Sequence, residues 1–264
     1  MKKKTSPKVL ILDIETIYMT FRAWSPKLHS KYMPKKMMIE DWSILAWAAK
    51  WRGQKKIYYQ DTRGQKNVRD DSKILKPLVK LMSEADIIVG KNSERFDIPK
   101  IRARFMINKI CDRKPIGDFQ QQDVEKMMKK FGFTYKSLEY ISETLKLKNQ
   151  KLVKRKFEGI DLWIECVENN NPKAWAEMKK YNPIDVLATE EAFEIFLPHD
   201  KKVNYSVYDP DNERCSCGSF VLMKYGIKPR NGGLYQKYIC TTCGKPHYGK
   251  KNLMSKLKKE NLLK

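Results

Sequence analysis

Short aliphatic runs that end in acids, alternating with stretches of helical period, constrain this chain more than any other feature. Val9–Leu12 is aliphatic and is followed at once by Asp13-Ile14-Glu15-Thr16. Such a run reads as a buried central strand that ends in carboxylates. Ala85–Val89 reads as a second buried strand, closed by Gly90 and followed by Asn92-Ser93-Glu94-Arg95-Phe96-Asp97. Between them, Ser43–Lys50 and Lys56–Gln60 flank Gly53 and suggest a hairpin. Ile74, Leu75, Leu78, Val79 and Met82 mark one face of a helix over 72–83, with Pro77 leaving its start open. Helices are also expected over about 121–131, over 137–146 and from Asn171-Pro172. Another is expected from Asp97, read as an N-cap with Pro99 in the first turn. Residues 17–40 show little periodicity and read as a long excursion. Strands mixed with helices predict an α/β domain, a central sheet with helices on its faces.

The chain's 264 residues suffice for one such domain and a small appendage. The composition shifts toward Gly, Asn and Cys after Leu197-Pro198, which places a boundary near 200. At 41% hydrophobic residues the chain can bury a core, which excludes wholesale disorder. Lys and Arg number 54 against 31 acids, a net charge of +23 that favours a polyanionic partner through counterion release. Tyr, Phe and Trp offer stacking surfaces for unpaired bases. Val9–Leu12 is too short for a signal peptide or a membrane span, and no later run approaches about 18 apolar residues. No membrane partner and a cytoplasmic location are therefore expected. There, cysteines bind metal or stay reduced.

Three segments carry the chemistry. In a strand, residues two apart face the same side, so Asp13 and Glu15 can share one cation. Without a cation or proton between them the two acids repel. Asp97 follows a buried strand and so falls where open α/β sheets bind ligands. In Tyr181-Asn182-Pro183-Ile184-Asp185, helical spacing projects Tyr181 and Asp185 together. Pro183 either kinks that helix or starts a new one capped by Asn182.

D-I-E-T, N-x3-F-D and Y-x3-D, in this order and at these separations, resemble the three motifs of DEDD-type 3′–5′ exonucleases. That family has a ribonuclease-H-like fold, a mixed sheet flanked by helices, and includes the proofreading domains of family-B DNA polymerases. The resemblance covers roughly residues 8–197. It extends to Trp24, the strand from Asp41-Trp42 to Lys50-Trp51, and Asp161-Leu162-Trp163, which look like phage-encoded members. Relatives divide by a Tyr four residues, or a His five residues, before the last Asp. Here Tyr181 fills the first position and Lys180 the second, and His29, His199 and His247 are wrongly spaced to substitute. The chain resembles the tyrosine subtype.

The resemblance implies two Mg²⁺ or Mn²⁺ ions, suited to hard oxygen ligands. Asp13 would bridge both, Glu15 and Asp185 would hold the ion bearing the attacking water, and Asp97 would support the second. Tyr181 would orient that water. Thr16, Asn92 and Phe96 would hold the 3′-terminal nucleotides, although Phe96 reads equally as core. Lys148, Lys151, Lys154, Arg155 and Lys156 form a basic run that follows phosphates or is simply solvated. The implied activity is stepwise removal of nucleotides from single-stranded 3′ ends, DNA favoured and RNA left open, in replication or repair. A DNA polymerase or other replication protein is the implied partner, in host cytoplasm if the chain is phage-encoded. Two other readings use the same residues. One is a structure-selective endonuclease, against which Y-x3-D argues. The other is an inactive nucleic-acid-binding module, against which the presence of all four carboxylates argues.

Cys215-Ser216-Cys217-Gly218 and Cys240-Thr241-Thr242-Cys243-Gly244 read as two knuckles of a structural zinc site, a staple that a domain this small needs. The first knuckle is C-x-C, one residue shorter than usual, and His247 is an alternative ligand. Related phage-type exonucleases resemble this chain in carrying such a C-terminal ribbon, here about 205–248. The expected domains are 1–200 for the nuclease fold, 201–248 for the ribbon and 249–264 for a loose or marginally helical basic tail. Cys111 and Cys166 read as buried thiols.

Overall fold

The computed structural model describes residues 6–25, 32–110, 116–150, 156–200, 202–209, 211–255 and 258. The chain forms two compact units, one spanning Lys8–Phe193 and the other holding the residues from Glu194 onward. In the first unit the strands are β1 (Val9–Thr16), β2 (Thr20–Phe21), β3 (Met38–Glu40), β4 (Ile44–Trp51), β5 (Ile57–Asp61), β6 (Ile87–Gly90) and β7 (Gln120–Asp123). Its helices are α1 (Ser72–Glu84), α2 (Asp97–Ile107), α3 (Val124–Met128), α4 (Leu138–Thr144) and α5 (Asp161–Val167). Helix α6 (Pro172–Phe196) follows.

The main sheet has the order β5-β4-β1-β6-β7. β1 and β4 pair antiparallel, as do β4 and β5, whereas β1–β6 and β6–β7 are parallel. The sheet is therefore mixed, as a ribonuclease-H-like fold requires. Among its described residues the excursion after β1 holds a 3-10 turn at Lys35–Met37 and the small β2–β3 ribbon, with Trp24 fully exposed beyond β2.

Alternation along β1 divides its side chains between two cores. Leu10, Leu12 and Ile14 pack with Trp47 and Ala49 of β4, Leu75 and Leu78 of α1, and Ile101 and Phe105 of α2. Just past the end of β1, Ile17 joins the second core, with Ala46 of β4, Leu162 and Cys166 of α5, and Trp175 and Met178 of α6. Asp71, fully buried, ties one face together. Its carboxylate accepts from Ile44 N at 2.9 Å, Arg104 Nε at 2.7 Å and Asn108 Nδ2 at 2.7 Å.

Three local expectations are corrected or decided. Gln120–Asp123 is a strand, not the start of a helix over 121–131, because it pairs with Ile87–Gly90 at the sheet edge. Helix α3 begins only at Val124, with the Asp123 side chain as its cap. Asp97 is the first residue of α2 rather than its N-cap, which is Phe96. Helix α6 runs through Pro183 without restarting, so Asn182 is not a cap.

The second unit contains β8 (Leu222–Arg230), β9 (Gly233–Cys240) and β10 (Pro246–Asn252) in an antiparallel sheet of order β10-β9-β8. Residues 249–252, expected in a loose tail, belong to β10 because Asn252 pairs with Tyr235. Most of the remaining tail lies outside the described residues.

Candidate metal-binding and catalytic site

Asp13 and Glu15 stand on the β1 face that looks toward α5 and α6. Their register partners on β4 are Ala48 and Ala46. The β1–β4 register shifts between Glu15 and Thr16, so the carboxylates come at the end of regular pairing.

Helix α6 brings the third motif to this face. Tyr181 and Asp185 are one turn apart, and Asp13, Glu15 and Asp185 offer oxygens within 4.8 Å of one another. Tyr181 belongs to the core cluster of this face, its ring edge-on to Trp163 of α5 at 6.2 Å. The fully buried Asn182 donates from Nδ2 to Asp13 Oδ2 at 2.6 Å. Sequence reasoning missed this contact, considering Asn182 only as a cap for a helix that Pro183 would restart. Its signal is the i, i+3 spacing from Asp185, which keeps both on one helix face.

Asp97 arrives from the neighbouring parallel strand. The chain leaves β6 at Gly90, where an added Cβ would lie 2.5 Å from Ser93 Cβ and 3.0 Å from the Leu12 carbonyl. It then turns through Asn92 at φ 59°, a left-handed conformation that Asn tolerates. Buried Asp123 holds this turn, accepting from Asn92 N at 2.9 Å and Glu94 N at 3.2 Å. Asp97, also buried, accepts from Ile14 N at 3.0 Å, which fixes it to the strand carrying Asp13 and Glu15. Asp123 was not anticipated, because Gln120-Gln121-Gln122-Asp123 has no apolar strand signature.

The electrostatics are those of acids crowded away from water. Burial, then the charges of Asp97, Glu15 and Asp185, hold Asp13 well above the usual carboxylate range despite the Asn182 hydrogen bond. Burial pushes Asp97 up to about 7, against the opposing amide of Ile14. Oxygen donors concentrated in this way fit divalent cations, which would supply the missing positive charge.

Thr16 and Asn92 are half-buried. Phe96 is exposed rather than core, with Lys100 Nζ 5.0 Å from its ring centre. Lys148 is exposed, and its backbone N–H donates to Glu191 at 2.8 Å. Lys151, Lys154, Arg155 and Cys111 lie outside the described residues. Cys166 is a buried thiol in the α5–α6 core.

In the second unit, one sulfur each from Cys215, Cys217, Cys240 and Cys243 lies within 4.8 Å of the others. Cys215 and Cys243 sulfurs are 3.5 Å apart, and those of Cys217 and Cys240 are 3.8 Å apart. Four thiolates at about 2.3 Å from a tetrahedral ion would be separated by about 3.8 Å, so the set is compatible with zinc. The short C-x-C knuckle closes because Cys215 N donates to Ser219 O and Gly218, at φ 96°, donates back to Cys215 O. Burial opposes ionisation of Cys240, yet the amides of Cys243 and Thr242 bring it down to about 7. His247 is half-buried, with Nε2 3.0 Å from Cys215 Sγ.

A mixed five-stranded sheet with acids at the end of its first strand and on the last helix defines a class. A family model described as RNase_H superfamily matches residues 44–196, and the chain belongs to that superfamily. The match begins downstream of Asp13 and Glu15. Among solved structures, the chain is similar to the family B DNA polymerase from the hyperthermophilic archaeon Pyrobaculum calidifontis. The TM-score is 0.54 at 16% identity, covering 88% of this chain and 32% of the polymerase. The chain thus spans about a third of that protein's length. No curated protein matches the chain. Among the described residues, no helix is long and apolar enough to cross a membrane.

Proposed function

We propose that this protein is a metal-dependent 3′–5′ exonuclease of the DEDD tyrosine subtype that shortens single-stranded 3′ ends, with DNA as the favoured substrate. One observation carries the reading. Three carboxylates from β1 and α6 converge, with a fourth, Asp97, hydrogen-bonded to the same strand. Bound divalent cations would supply charge stabilisation at the reacting phosphate and a water of lowered pKa. On this reading Asp13, Glu15, Asp97 and Asp185 would hold the cations, with Glu15 and Asp185 serving the one that activates the water and Asp97 supporting the other. Asn182 holds Asp13 Oδ2 and so orients that carboxylate. Tyr181 orients the attacking water. Thr16, Asn92 and the exposed ring of Phe96 hold the 3′-terminal nucleotides. Lys148 belongs to the basic stretch that follows the phosphates. Cys215, Cys217, Cys240 and Cys243 hold one structural zinc in a C-terminal ribbon.

The likeness to part of a DNA polymerase supports a setting in replication or repair. The test uses a 5′-labelled single strand in Mg²⁺. The expected product is a ladder of one-nucleotide steps from the wild type and none from Asp13→Ala. Internal cuts would point to an endonuclease, and binding without shortening to an inactive module. Either would end this reading.

A further inference from the structure

We propose that one face of the β8–β9–β10 sheet binds single-stranded DNA, with Tyr225, Tyr235 and Tyr248 stacking on unpaired bases and Lys228, Arg230 and Lys237 taking the phosphates.

The face follows from register. Tyr235, Lys237 and Ile239 alternate on one side of β9, and Tyr248 of β10 lies opposite Lys237. Lys228 of β8 lies opposite Tyr235, and Met223 opposite Ile239. Between Lys224 and Ile227 the register shifts at Gly226, whose φ is 75°. The shift leaves Tyr225 on the same side as Lys237, whose Nζ lies 4.5 Å from its ring centre. Lys228 Nζ and the Arg230 guanidinium lie 5.7 and 5.5 Å from the Tyr248 ring. The Cys240 sulfur and His247 belong to the opposite side.

Three aromatic rings interleaved with three cations thus share one surface, with Tyr225 58% exposed and Lys228 and Arg230 on exposed strand ends. Tyr235 and Tyr248 are half-buried, so each keeps part of its ring at the surface beside exposed Tyr225. The charge is one-sided. Residues 214–252 contain eight Lys or Arg and no Asp or Glu, so nothing on these strands repels a phosphate chain. Such a surface attracts polyanions, and the rings add a preference for unpaired bases, since a duplex hides its base faces. A protein partner would need acidic side chains to match and would leave the tyrosines no distinct role. The choice of DNA rests on the proposed exonuclease function, while the stacking surface itself stands apart from it.

The experiment uses the full chain with Asp13→Ala to prevent turnover and follows anisotropy of a fluorescein-labelled 20-nucleotide single strand. A duplex of the same length serves as the comparison. Adding Tyr225→Ala and Tyr248→Ala should weaken single-strand binding at least about 25-fold, from about 5-fold or more for each lost stack, with zinc content unchanged. Lys228→Gln with Arg230→Gln, exposed positions that leave the fold intact, should lower the salt slope by about 1.4. Unchanged single-strand affinity in the tyrosine variant would overturn the proposal. So would duplex binding as tight as single-strand binding, which charge alone explains. An intact chain that binds here but does not shorten DNA would refute the exonuclease reading and leave this surface standing.

Discussion

Asp97→Asn is expected to stabilise the protein in the absence of added divalent metal. In the folded chain, burial pushes Asp97 up to about 7, Asp123 adds to the rise, and the Ile14 amide and Lys91 oppose it. In the unfolded chain an aspartate titrates near about 3.9. Between these values the folded state binds more protons than the unfolded one. The stability that protonated Asp97 contributes is therefore full below about pH 4 and is lost as pH rises through 7. About three units at about 1.4 kcal/mol each give a loss approaching 4 kcal/mol at pH 8. Asparagine keeps an oxygen to accept from Ile14 N but cannot ionise. Urea unfolding of the Lys8–Phe193 unit, followed by tryptophan fluorescence, should show the variant gaining on the wild type as pH rises from 4 to 8. Added Mg²⁺ should reverse the order, because it neutralises the cluster only where all four carboxylates are present. Parallel pH profiles for the two proteins would refute the reasoning.

Removing the 2.6 Å donor to Asp13 in Asn182→Ala should lower kcat on single-stranded DNA by about 10- to 100-fold, the worth of a hydrogen bond to a charged group, measured under saturating substrate. Gly90→Ala places a Cβ 2.5 Å from Ser93 Cβ and close to the Leu12 carbonyl, so urea melts should show a loss of about 1–3 kcal/mol, with reduced activity as the turn before Asp97 shifts. Arg104→Ala strips the guanidinium from buried Asp71 and should cost about 3–5 kcal/mol in the same melts, with no preference for conditions that affect metal binding. Replacing Cys217 by Ser should abolish stoichiometric zinc in elemental analysis of the purified chain.

The sequence showed the fold wherever burial imposes periodicity. Val9–Leu12 and Ile87–Val89 are central strands and carry the aliphatic runs that two covered faces demand. Ile74, Leu75 and Leu78 announced α1 because only one side of it is buried. β7 was hidden because Gln120 and Gln121 sit at the sheet edge, where polar residues are tolerated, and only Gln122 and Asp123 are buried. Spacing placed Asp13 beside Glu15 and Tyr181 beside Asp185, whereas the meeting of Asp185 with the β1 pair was implied only by the resemblance of the three motifs to a known family. The supporting contacts were not legible. Asn182 to Asp13 spans 169 residues, and Asp123 to the Asn92 turn spans 31, so no local pattern encodes either. Pro183 left the helix open for a related reason: a proline often ends a helix, yet α6 continues through it toward a buried aspartate.

The central claim is that this carboxylate cluster uses divalent metal to remove single nucleotides from a 3′ end. A strand labelled on its 3′-terminal nucleotide, mixed with excess enzyme and started by Mg²⁺, tests it most directly. The first labelled product from the wild type should be a mononucleotide, none should form before Mg²⁺ is added, and Asp185→Asn should release none on the same timescale. Labelled oligonucleotides as first products, or equal release by the Asp185→Asn chain, would contradict it.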